Sequence, residues 1–336
     1  MRHRYRGKGF WVEEQGVQTE QTKLFHILLV GIPILLLAIL PFFFFGGPDY
    51  FSMRSAQAFW KLGHIFYFAL LSYWMHLLSL RKNISPWYVF VFCLVLTLLL
   101  GSAIEVLQHH LDNRTGGHPS DVLRDMAGVF FTFFFLVREP LLRGKKIIYT
   151  ARILTLALLL AFLTDFAQSL TDEAIARRQF PFLSGLETPF ELSRWRTVSS
   201  QVSEEVAREG KKSLKVPLFG TGQGYVDIVL AFFPKDWSQY SSVHWSVYNP
   251  LEQDLPLACR IHDKQHKKSG YETTDRFNTE FVLHPGWNDL AVSLDAVKRA
   301  PKNRRMDMTH IEELHFFTAK RPEHQYLYFD KVYLTP

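Results

Sequence analysis

The chain has 336 residues, of which 48% are hydrophobic, 15% aromatic and 21% charged, with a formal net charge of +6. This abundance of aromatic and branched residues excludes disorder over most of the length, and two cysteines in different halves, Cys93 and Cys259, exclude a disulfide scaffold. Apolar residues crowd the first half and charges the second, so a single uniform globule is excluded, and the basic excess reads as membrane topology rather than as a nucleic-acid surface.

Residues 1–23 read as a polar cytoplasmic leader carrying Arg2, Arg4, Arg6, Lys8 and Lys23. Leu24–Phe45 is almost wholly apolar and about 33 Å long as a helix, enough for a bilayer core. Its length and its Pro41-Phe42-Phe43-Phe44-Phe45 ending do not suit a cleaved signal peptide. Further apolar runs at Leu62–Leu80, Trp87–Leu107, Val122–Val137 and Ile147–Leu163 predict an α-helical bundle of five transmembrane helices over residues 24–170. Arg81 and Lys82 mark one basic loop, and Arg138, Arg143, Lys145 and Lys146 mark another. The intervening loops hold only Arg54 with Lys61, and Arg114. That alternation predicts a cytoplasmic N-terminus in the inner (plasma) membrane. An odd number of crossings then places everything after about residue 170 outside the cytoplasm.

Ionisable residues within these runs are costly, so they need a reason. Measured from the cytoplasmic boundary at 1.5 Å per residue, Glu105 lies about 27 Å up its helix, His64 about 25 Å, and Asp125 and Asp121 about 20 and 25 Å. All fall in one slab near the outer surface. Lys61 and His64 share a stripe, as do Glu105 and Gln108, and as do Asp121, Arg124, Asp125 and Gly128. Three readings stay open: an ion-pair network holding helices together, a pocket for a charged head group, and an acid–base pair of Glu105 with His64. In the pocket, Lys61 and Arg114 would hold anionic oxygens, and Glu105 and Gln108 would meet hydroxyls or amides.

The pieces Lys61-x-x-His64, Glu105-x-x-Gln108, Arg114 and Asp121-x-x-x-Asp125-x-x-Gly128 resemble the VanZ-like family, named for a teicoplanin-resistance protein. Trp60 stands where that family usually has Asp, Asp125 where it has Asn, and Thr132 where it has a second Gly. The resemblance implies a cell-envelope role linked to glycopeptide resistance, without a defined reaction.

Residues 171–182 read as a linker, with Thr171–Gln179 open to a short helix, and 183–336 as an extracytoplasmic all-β jelly-roll sandwich. Alternating runs predict strands at Tyr225–Phe232, Val243–Asn249, Leu257–Asp263, Phe277–Leu283, Asp289–Leu294, Ile311–Phe317 and Leu327–Leu334, with turns between them. Phe190-Glu191, Gly210–Val216, Asp236-Trp237-Ser238, Gly286-Trp287-Asn288 and Asp330-x-Val332 are similar to galactose-binding-like jelly rolls of carbohydrate-binding modules. That resemblance implies glycan binding and a structural calcium, with Glu191 and Asp330 as its candidates; no other cofactor is expected. Trp237, Trp287 and Tyr271 are the candidate sugar platforms, and the polar loop around Tyr271 is the favoured ligand position. Trp245 alternates with Val243 and Val247 and reads as core.

Together these features predict a polytopic cell-envelope protein that binds a glycan or lipid-linked precursor at the outer membrane–water boundary. Its partners would be membrane lipids and envelope glycan, not nucleic acid, and binding is preferred over catalysis. The alternatives are a membrane enzyme acting on a lipid-linked sugar or phosphate, and a membrane-anchored protein-interaction module.

Overall fold

Near residue 180 the hydrophobic period changes from helical to alternate-residue, and the backbone follows, with helices up to Gln179 and strands from Phe182 onward. The computed structural model describes residues 8–111, 119–139, 141–142, 144–197, 199–219, 224–320 and 324–336. The chain divides into two compact units, Met1–Ser52 with Ala56–Phe166, and Met53–Ser55 with Ala167–Pro336.

The long helices are α1 (Lys8–Ile39), α2 (Arg54–Leu80), α3 (Pro86–Leu111), α4 (Pro119–Phe131) and α5 (Lys145–Gln179), and a six-residue helix, Leu294–Arg299, lies among the strands of the second unit. A single wider π turn at Thr132–Leu136 extends α4. Among the described residues, three segments, Thr22–Phe43, Pro86–Gln108 and Lys145–Gln179, are long and apolar enough to cross a membrane, and they support an integral membrane location. The expectation of five such helices is therefore corrected to three among the described residues. The α2 run is diluted by His64, Ser72, His76 and Ser79, all buried. His64 meets Asp125 and His76 meets Glu139, so these groups are held by protein. Helix α4 has 13 residues and carries Asp121, Arg124 and Asp125 in its first turns, which leaves too short an apolar stretch to span. Residues 171–179, expected as a short helix or linker, continue α5.

Gly128 fixes how α2 and α4 pack. A Cβ there would meet the carbonyl oxygen of Ile65 and, at 2.8 Å, the amide nitrogen of Ala69. Only a bare Cα lets the two backbones come this close. One turn further, Thr132 Oγ1 donates to the Ala69 carbonyl at 2.9 Å.

The second unit is a β-sandwich, as its alternation predicts. Its strands are β1 (Phe182–Ser184), β2 (Trp195–Thr197), β3 (Gln201–Ser203), β4 (Ser213–Pro217), β5 (Tyr225–Leu230), β6 (Ser242–Asn249), β7 (Leu255–Asp263), β8 (Phe277–Leu283), β9 (Gly286–Ser293), β10 (Ile311–Ala319) and β11 (Tyr326–Thr335). One sheet runs β3-β4-β11-β6-β9 with β1 also paired to β11, and the other runs β2-β5-β10-β7-β8. Every pairing is antiparallel. The core between them takes Leu214, Val243, Trp245, Val247 and Phe329 from the first sheet. Ile228, Leu230, Leu257, Cys259, Ile261, Leu314 and Phe316 come from the second. Trp245 is 1% exposed, which agrees with its reading as core.

Candidate functional site

Helices α2, α3 and α4 each bring one polar stripe into the first unit. His64, Glu105 and Asp121 are buried, and one donor atom from each lies within 4.8 Å of the other two. His64 Nδ1 pairs with Asp125 Oδ1 at 2.8 Å, and the Phe43 ring stands edge-on to the imidazole at 4.8 Å. Arg124 clasps Asp121 and donates from Nη1 to Ser120 Oγ at 3.0 Å, while its guanidinium lies over the Phe162 ring at 5.0 Å. Gln108 faces elsewhere, donating to the Phe43 carbonyl at 2.8 Å. Lys61 is exposed. Arg114 lies outside the described residues. Four of the sequence candidates, His64, Glu105, Asp121 and Asp125, thus share one neighbourhood.

In the sandwich the structure gathers a polar face that the sequence reading did not single out. Strands alternate, so the residues between the core positions of β5, β7 and β10 point away from the core. These are Asp227 on β5, Arg260 and His262 on β7, and Glu313, His315 and Phe317 on β10. Register sets His315 beside Val229 and opposite Arg260. Arg260 donates to His315 Nδ1, so the other ring nitrogen carries hydrogen and donates to Asp227 Oδ1 at 3.3 Å. The His315 ring stacks on Phe317 at 3.9 Å, and the Arg260 guanidinium lies over that ring at 4.9 Å. Glu313 sits 3.7 Å from Arg196 and 4.0 Å from His262. Burial, helped by Arg260, pushes the His315 imidazole down to about 2. Burial and the neighbouring His266 push His262 down to about 3. Both rings are therefore neutral. At the strand ends Tyr225 is 65% exposed. The signal was present in the alternation of Asp227, of Arg260 with His262, and of Glu313 with His315, where each strand puts polar residues on its outward face.

The predicted platforms separate. Trp237 is wholly buried, packed on Phe233 and donating from its indole nitrogen to the Pro234 carbonyl at 3.2 Å, so it cannot serve as a surface platform. Trp287 is half-buried against Tyr248 on β9. Tyr271 stands edge-on to His266 at 5.5 Å. Its loop is braced by Arg304, which bonds both Asp263 and Asp275. The Arg304 guanidinium holds the Asp275 carboxyl down to about 2.

The calcium candidates do not fit that ion. Glu191 accepts from Gly185 N at 3.1 Å, from Thr188 N at 3.2 Å and from Arg194 Nη1 at 3.2 Å. Asp330 accepts from the amides of Arg208, Glu209 and Lys331. Calcium wants converging oxygen ligands, whereas here N–H donors converge on the carboxylates. A buried arginine serves Glu191 instead.

No protein-family model matches the chain, and no curated protein matches it. Among solved structures it is similar to a family 11 carbohydrate-binding module from Clostridium thermocellum in complex with a β-1,3-1,4-mixed-linked tetrasaccharide. The two share 14% identity over 46% of this chain and 94% of that one, with a TM-score of 0.34. It is similar to a family 30 carbohydrate-binding module of a cellulosomal cellulase of Clostridium thermocellum, at 17% identity over 42% of this chain and 86% of that one, with a TM-score of 0.32. An exo-β-agarase is similar at 13% identity over 46% of this chain and 24% of that one, with a TM-score of 0.37.

Proposed function

We propose that this is a membrane-anchored, saccharide-binding protein of the cell envelope, with its N-terminus cytoplasmic and its sandwich outside. The glycan lies on the outward face of the five-stranded sheet. The observation that carries this reading is the strip Asp227–His315–Phe317–Arg260, where planar donors and acceptors flank an aromatic face. Saccharides are recognised by that combination, with rings against C–H groups and fixed polar groups on the hydroxyls. Asp227 keeps a 63% exposed side chain, and Tyr225 offers a second ring at the edge of the strip. The VanZ-like resemblance of α2 to α4 supports an envelope setting. A lipid head group at His64, Glu105 and Asp121 is less well supported, because all three are under a tenth exposed, whereas in the strip His315 alone is buried, Arg260 and Phe317 are half-buried and Asp227 is open.

The test is affinity electrophoresis of the full chain in detergent against a panel of envelope and plant polysaccharides. At least one polysaccharide should retard it. Asp227→Ala and Arg260→Ala should each weaken retention at least tenfold, while Trp287→Ala leaves it unchanged. Absence of retention by the wild type, or retention unchanged in both variants, overturns the proposal.

A further inference from the structure

We propose that His64, Glu105 and Asp121 bind a divalent first-row transition cation of the zinc type. The three residues come from three helices and are separated by 41 and 16 positions in sequence, yet the packing brings their donor atoms within 4.8 Å of one another. Bonds of about 2.0–2.2 Å to a zinc-type ion need side-chain rotations of about an ångström from there. One imidazole nitrogen and two carboxylate oxygens form a borderline donor set that suits zinc or manganese, whereas calcium and magnesium prefer oxygen alone.

The surroundings supply an independent observation. The Nδ1–H of His64 donates to Asp125 at 2.8 Å, which leaves Nε2 with its lone pair. A carboxylate behind a ligating histidine is the usual outer support of a metal site, fixing tautomer and ring orientation. Asp125 is wholly buried, and its second oxygen has no hydrogen-bond partner among the described residues. That oxygen faces Gly101, one turn before Glu105 on α3. Asp121 is steadied in the same way by Arg124. Three protein ligands leave a fourth position for water or an anionic oxygen.

The experiment uses full-length protein in detergent, stripped with EDTA and titrated with ZnCl2. Metal content is read by mass spectrometry and affinity by competition with a chromophoric chelator. One zinc per chain is expected, with a rise in melting temperature on reloading, and calcium should not displace it. Glu105→Gln and Asp121→Asn should weaken zinc at least tenfold, and Asp125→Asn by about tenfold. The wild-type stoichiometry stands on its own should a variant fail to fold, and a wild type that takes up no stoichiometric zinc overturns the proposal. So does calcium outcompeting zinc, zinc binding unchanged in Glu105→Gln and Asp121→Asn, or uptake lost instead in His310→Ala, which removes an exposed His–Asp pair elsewhere.

Discussion

Asp125 gives one carboxylate oxygen to His64 at 2.8 Å and turns the other toward the bare Cα of Gly101. The carboxylate is wholly buried and pinned by the histidine, so it cannot swing aside for a larger residue. Gly101→Ala is expected to destabilise the helical unit by about 1–3 kcal/mol, the usual cost of overpacking. Thermal unfolding in detergent should show a lowered melting temperature. The loss should shrink in an Asp125→Ala background, because neighbouring residues are coupled.

The contact at Gly128 is less forgiving, since backbone atoms of α2, not a side-chain end, would meet the new Cβ. Gly128→Ala is expected to cost about 3 kcal/mol, the upper end of overpacking effects. Gly63→Ala is the matched control. It lies on the same helix pair with nothing within 4 Å of its Cβ position, and removing a helix glycine there should be neutral or stabilise by about 0.5–1 kcal/mol. Equal losses in both variants would contradict a close backbone approach.

Much of the sandwich was legible because burial on one face imposes a period of two. Strand β8 occupies the predicted Phe277–Leu283, and β6, β7 and β11 lie within two residues of expectation. The three-residue strands β1, β2 and β3 are too short to show a period, and none was predicted. The helical half misled where apolar runs were read one at a time. Leu62–Leu80 and Val122–Val137 look like spans by composition, but their polar residues answer one another across α2 and α4, as His64 does with Asp125. The same spacing argument did bring His64, Glu105 and Asp121 to a common level. It could not tell Lys61, which is exposed, from His64, one turn away and buried.

Arg194 is wholly buried in the second unit, with Nη2 donating to Asp172 at 2.9 Å and Nη1 to the Leu183 carbonyl at 2.8 Å and to Glu191 at 3.2 Å. Arg54 also bonds Asp172. Removing one partner from such a network leaves an uncompensated buried charge, which costs about 3–5 kcal/mol. Asp172→Asn and Glu191→Gln are therefore each expected to lower the melting temperature clearly. Adding calcium should restore neither. Restoration by calcium would mean that Glu191 serves an ion after all.

The neutral histidines of the five-stranded sheet set the acid limit of the sandwich. His262 and His315 are held at about 3 and about 2 by burial, with Arg260 and Arg276 near both, His266 and Lys235 also facing His262, and His262 facing His315. Their folded values lie below the unfolded value of about 6.5, so the unfolded chain binds more protons at mild acid pH. The stabilisation is complete above about pH 6.5 and is lost progressively as pH falls toward the folded values. Each histidine contributes a slope of about 1.4 kcal/mol per pH unit well below pH 6.5. Melting temperature should therefore fall steeply between pH 6 and pH 4, before Asp275, held at about 2 by Arg304, begins to protonate. Replacing both histidines by glutamine should flatten that fall. A wild-type curve already flat from pH 7 to pH 4 would show that water reaches these rings.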